Sequence, residues 1–122
     1  PVQAAEREAL EETGYRARVI RSAGLLEVDS PAVLPPPAVI LVEDIVRDDQ
    51  PFHQHIDHVY FTRIQREVDF AAPIPHGPHH WFNAVELAES FSLPAPDGTL
   101  VPVAEDVRLL GLRALQAATR EP

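Results

Sequence analysis

Residues Pro1 to Tyr15 read PVQAAEREALEETGY, and the conformation of this stretch decides how the rest of the chain is read. Pro1 suits the start of a helix, because the N–H it lacks would have no partner in the first turn. Gly14 stands where a helix can end on a left-handed residue. Between them Val2, Ala5 and Ala9 form a short apolar stripe, so the spacing predicts a helix over residues 2–13. On that helix Glu8, Glu11 and Glu12 fall at i, i+3 and i+4, and their carboxylates project from one face. Like charges so placed repel by roughly 0.2–0.5 kcal/mol per pair. Two readings follow. In one, the glutamates are a solvated helix face, partly neutralised by Arg7 pairing with Glu11 at i, i+4. In the other, an oxygen-only cluster takes a hard divalent cation, Mg²⁺ or Mn²⁺.

The complete string favours the second reading. Arg7 to Tyr15, R-E-A-L-E-E-T-G-Y, resembles the second half of the Nudix box, G-x5-E-x7-R-E-U-x-E-E-x-G-U, in which U is a bulky apolar residue. Arg7, Glu8, Glu11, Glu12, Gly14 and Tyr15 match the pattern, and Ala9 is apolar but small. Counted back from Arg7, the opening glycine and first glutamate of the box would lie before Pro1. The chain is therefore expected to begin inside the motif and to lack the strands that precede the box in that family. The resemblance implies an α/β fold, a Nudix-like α/β/α sandwich with a mixed sheet, formed by residues 1–122 as a single, N-terminally incomplete domain.

It also implies a chemistry. Nudix hydrolases cleave a pyrophosphate linkage in nucleoside diphosphate derivatives with the help of Mg²⁺ or Mn²⁺. Carried over by position, Glu8 and Glu12 are the principal metal ligands, Glu11 is a supplementary one, and Arg7 orients the glutamates through charge-assisted bonds. Glu8 is the first choice for the general base, with Glu67, Asp69 and Glu86 as alternatives. The implied substrates are ADP-ribose-like compounds or nucleoside triphosphates. A catalytically silent nucleotide-binding or sensing module of the same fold is the alternative. Without the upstream strands and half-box, weak or no activity is expected of this stretch alone.

Composition bounds the remaining options. A length of 122 residues with 45% hydrophobic content suits one globular domain. Ten basic residues, all arginine, against nineteen acidic ones give a formal charge of −9, which argues against a surface that tracks nucleic-acid phosphates. The apolar stretch from Ala32 to Val42 is broken by Pro35, Pro36 and Pro37 and is far short of the roughly 20 residues that span a bilayer. With zero cysteine there is no disulfide, thiolate ligand or cysteine nucleophile. A soluble, cytoplasmic protein acting on a nucleotide-type small molecule, with neither nucleic-acid nor membrane partner, is the expectation, and a homodimer is left open.

Along the chain, Arg16 to Val28 reads as one or two strands and Ala38 to Val46 as a central or nearly central one. Asp48 to Pro51 reads as a turn, and His58 to Ile64 (HVYFTRI) as the clearest strand. Pro73 to Pro78 is a loop by composition. Trp81-Phe82 reads as a short strand before a brief helix at 84–89, a pattern similar to a W-F-x-x-x-E-L segment of many Nudix domains. Leu93 to Thr99 signals a turn, and Val103, Val107, Leu110, Ala114 and Ala117 predict a terminal helix packed on the sheet. His53, His55 and His58, with His76, His79 and His80, raise a zinc hypothesis. Alternation puts His53 and His55 on one strand face and His58 on the other, unlike a closed three-ligand site.

Overall fold

The computed structural model describes residues 1–21, 31–65 and 80–120. Its packing divides the chain into two compact units, Pro1–His76 and Gly77–Pro122. The architecture is mixed α/β, with small antiparallel sheets and, among the described residues, three helices.

The first unit opens with helix α1, Val2–Thr13. Gly14 closes it at φ 75°, and its N–H donates to the Leu10 carbonyl at 2.9 Å. The Thr13 hydroxyl adds a second lock, donating to the Ala9 carbonyl at 2.6 Å while accepting from the Tyr15 N–H at 3.2 Å. The chain leaves directly into β1, Ala17–Val19. Ala17, 8% exposed, is buried in this unit, as is Pro35. The part of the expected 16–28 strand region beyond residue 21 lies outside the described residues.

Strands β2 (Val39–Arg47) and β3 (Gln50–Val59) form an antiparallel hairpin around Asp48-Asp49, pairing Val39 with Val59 and Ile45 with His53. This corrects two expectations. Gln50 and Pro51 belong to the strand rather than the turn, because the register breaks between Ile45 and Arg47 and leaves Pro51 opposite no regular ladder position. At such a bulge the missing proline N–H costs no ladder bond. HVYFTRI is also two strands. The hairpin ends at Val59, Tyr60 and Phe61 interrupt it, and β4 (Thr62–Ile64) pairs antiparallel with β1 instead. Nor is β2 central: its ladder partner among the described residues is β3, and Ile40, Val42 and Val46 on one of its faces are exposed. The expected mixed sheet does not appear among these residues, whose ladders are each two-stranded and antiparallel.

In the second unit, Trp81 and Phe82 join no ladder among the described residues and lead into helix α2 (Ala84–Ala88), for which Asn83 is the N-cap. The Asn83 side chain accepts from the N–H groups of Val85 and Glu86, at 2.9 and 3.0 Å, and the Glu86 carboxylate accepts from the Asn83 N–H at 2.9 Å. This reciprocal box satisfies amide groups that a five-residue helix would otherwise leave open. His80, Phe82 and Phe91 gather nearby, with centroids 4.7 Å apart for His80 and Phe82 and 6.2 Å for Phe82 and Phe91.

Strands β5 (Ser92–Pro94) and β6 (Leu100–Pro102) make a second hairpin that sequence signals had marked only as a turn. Gly98 supplies the φ of 83° that its loop requires. Asp97 Oδ1 accepts from the Thr99 hydroxyl at 2.7 Å and from its N–H at 2.9 Å. These two bonds, the hydroxyl first, hold the Asp97 carboxyl below the usual carboxylate range. Helix α3, Glu105–Arg120, follows the expected span with acidic residues in its first turn and Arg120 in its last, both favourable to the helix dipole. Its main packing partner is α2 rather than a sheet. Gly111 permits the approach: Leu87, 6% exposed, lies where a larger residue would collide.

Candidate functional site

The carboxylate face predicted from the opening stretch is on α1, and the side chains around it are ordered by one arginine. Arg7 donates from Nη2 to Glu8 Oε1 at 3.3 Å and from Nη1 to Glu11 Oε1 and Oε2 at 3.3 and 3.5 Å. The pairs are solvent-facing, with the Arg7 and Glu8 side chains 59% and 58% exposed, so each contributes little to stability. Their effect is positional, since they draw Glu8 and Glu11 toward a shared cation. Glu12 lies exposed one turn beyond Glu8 on the same face.

The donor set, three carboxylates and no nitrogen or sulfur, suits a hard divalent ion. Among the described residues, no group of three or more His, Asp or Glu side chains is already gathered closely enough to hold a metal. In the present arrangement the Arg7 guanidinium supplies the positive charge between Glu8 and Glu11.

The other flank of α1 meets β1. Glu6 Oε1 accepts the Val19 N–H at 3.1 Å, tying the helix to the strand edge. Between them lies a cleft of about 310 Å³ whose lining includes Glu6, Arg7, Leu10, Arg16, Arg18 and Gln65. Sequence reasoning passed over Glu6, Arg16 and Arg18. The available signal was the alternation Arg16-Ala17-Arg18-Val19, which places both arginines on one strand face.

No family model and no curated protein matches the chain.

The other sequence candidates are dispersed. His53 and His55 share a face of β3 with ring centroids 5.1 Å apart, and His53 Nδ1 donates to the Pro51 carbonyl at 2.9 Å. His58 faces the opposite way, in register with Ile40. His80 packs against Phe82 and Phe91 in the second unit. Glu86, an alternative general base, is engaged in the α2 capping box. Glu67, Asp69, His76 and His79 lie outside the described residues. No helix among the described residues is long and apolar enough to cross a membrane.

Proposed function

We propose that the chain is the box-bearing part of a Nudix-type metal-dependent hydrolase that cleaves the pyrophosphate bond of nucleoside diphosphate derivatives, ADP-ribose-like compounds or nucleoside triphosphates. One observation carries the reading: Arg7 to Thr13 lie on helix α1, closed by a left-handed Gly14, with Arg7 bridging Glu8 and Glu11 on its solvent-facing side. The Arg7 pairs suit a solvated helix face equally; what favours the metal site is the agreement of Arg7, Glu8, Glu11, Glu12, Gly14 and Tyr15 with the box pattern.

In this account Glu8 and Glu12 are the principal ligands of a Mg²⁺ or Mn²⁺ ion, and Glu11 is the supplementary one. Held there, such an ion would make a water more acidic and offset charge on phosphoryl oxygens. Arg7 is a positioning residue: it fixes the rotamers of Glu8 and Glu11 and limits the repulsion between them. Glu8, the first choice for the general base, would take the proton of the attacking water through the carboxylate oxygen not used on the metal. Gly14 ends the helix in a left-handed conformation and turns the chain toward β1.

A second reading, a silent nucleotide-binding module of the same fold, draws support from Arg7, which already neutralises two of the three carboxylates. Hydrolysis separates them. The chain, and any longer natural form that carries it, is given a panel of nucleoside diphosphate derivatives with Mg²⁺, and release of phosphate or nucleoside monophosphate is followed. Turnover that is lost in Glu12→Gln supports the enzyme. Turnover by wild type that Glu12→Gln leaves unchanged rejects it.

A further inference from the structure

The β2–β3 hairpin carries ligand chemistry of its own. His53 and His55 stand two residues apart on one face of β3, with ring centroids 5.1 Å apart and ring planes inclined at 54°. A Zn–N bond of about 2.0–2.1 Å, extended by a ring radius of ~1.2 Å, puts the centroids of two imidazoles on one tetrahedral ion about 5.2 Å apart. The two rings are thus already spaced as such a pair requires. His53 Nδ1 lies 2.9 Å from the Pro51 carbonyl oxygen, which only accepts, so the neutral ring carries its proton there and Nε2 keeps its lone pair. A backbone carbonyl holding the far N–H is the usual support behind a ligating histidine, because it fixes both tautomer and ring orientation. Carboxylates complete the donor set. Glu43 is directly opposite His55 in the register, and therefore on the same face, where paired Cβ atoms stand roughly 4.5–5.5 Å apart. Asp57 follows two residues after His55 on that face and adds negative charge. The arginine of the hairpin, Arg47, pairs with Asp49 at 3.3 Å, and on the opposite face Asp44 accepts from Gln54 at 2.8 Å. His55, Glu43 and Asp57 are exposed, so an ion reaches them from solvent.

We propose that His53 and His55, joined by Glu43, form an open site for a borderline divalent ion, Zn²⁺ in preference to Mg²⁺. Two imidazole nitrogens and one carboxylate oxygen are a donor set that suits zinc, whereas hard ions favour oxygen alone. Among the described residues no three such side chains are already gathered closely enough to hold a metal. The histidine pair is the preset part, Glu43 swings in across the ladder when the ion binds, and water takes the fourth position. The bound ion ties β2 to β3 and stabilises the folded chain by mass action. Its ligands are separate from Glu8, Glu11 and Glu12, so the site stands whether or not the reading of α1 does.

The test is calorimetric titration of the full chain with Zn²⁺ in excess Mg²⁺, which competes for any oxygen-only site. Wild type is expected to bind saturably, with the ring nitrogens of His53 and His55 shifting in histidine ¹⁵N NMR as the ion is added. His55→Gln should bind roughly tenfold more weakly or worse, since loss of even a supporting residue costs about that much. Glu43→Gln should weaken binding by a smaller factor. His58→Gln on the opposite face of β3, His80→Gln in the second unit and Glu12→Gln on α1 should bind as wild type does. Circular dichroism confirms that each variant is folded. Absence of saturable binding in wild type overturns the proposal, as does unchanged binding in His55→Gln or Glu43→Gln. A loss in His58→Gln, His80→Gln or Glu12→Gln equal to that in His55→Gln places the ion elsewhere and overturns it too.

Discussion

Replacing Gly111 by alanine tests how the second unit is held together, because two effects of known size oppose each other there. In an exposed helix interior the change stabilises by about 0.8–1.0 kcal/mol, since alanine restricts the unfolded backbone more than glycine does. At Gly111 the added Cβ would lie 2.9 Å from Leu87 Cδ1, 3.6 Å from Cδ2 and 3.9 Å from Cγ. The nearest contact is thus roughly 0.6 Å inside the ~3.5 Å lower end of the favourable carbon–carbon separation. Leu87 is 6% exposed and has little freedom to swing away. Overpacking of this kind costs about 1–3 kcal/mol, so Gly111→Ala should destabilise by about 1 kcal/mol net.

The sign should reverse when the obstacle is removed. In a Leu87→Ala background, itself about 2–5 kcal/mol less stable, no Leu87 methyl remains to collide and the same substitution should stabilise by about 1 kcal/mol. The four proteins form a double-mutant cycle with a coupling of about 2 kcal/mol, measured by urea unfolding followed by circular dichroism. Stabilisation by Gly111→Ala in the wild-type background, or zero coupling, would refute the packing of α3 on Leu87.

The β5–β6 loop offers a pH prediction. Because its hydrogen bonds to Thr99 hold Asp97 below the usual carboxylate range, its contribution to the turn is fully present above the unfolded-state pKa. It is lost only as pH falls through the lower folded value. Carboxyl NMR should therefore give Asp97 the depressed midpoint, and Thr99→Ala, which removes the larger of the two causes, should move it back toward the ordinary value. A midpoint unchanged by that substitution would show that the hydroxyl bond is not what lowers it.

The helices were legible because their signals are local. Pro1, the Val2, Ala5, Ala9 stripe and Gly14 delimited α1, and the apolar spacing from Val107 to Ala117 marked α3, since such patterns depend on residues within one or two turns. Strand boundaries were less legible because they depend on partners distant in sequence. HVYFTRI has a strand composition throughout, but its first part pairs with β2 and its last with β1, which composition does not encode. Pro51 reads as a turn residue unless the bulge that accommodates it is known. Similarly, β5 and β6 are short and proline-rich, and only their pairing defines them. For the candidate site, the carboxylate face followed from helical spacing alone. The arginine cleft did not, because it forms where α1 crosses β1 and needs the three-dimensional path between them.

If the glutamate face of α1 takes a divalent ion, Mn²⁺ will bind there. Electron paramagnetic resonance of free Mn²⁺, titrated with the chain and with any longer natural form that carries it, should show saturable binding in wild type. Mg²⁺ should compete for the same site. Glu12→Gln should weaken binding by about tenfold or more, as expected for loss of one charged oxygen ligand. Binding of equal strength in wild type and Glu12→Gln would contradict the account and leave Glu8, Glu11 and Glu12 as a solvated helix face neutralised by Arg7.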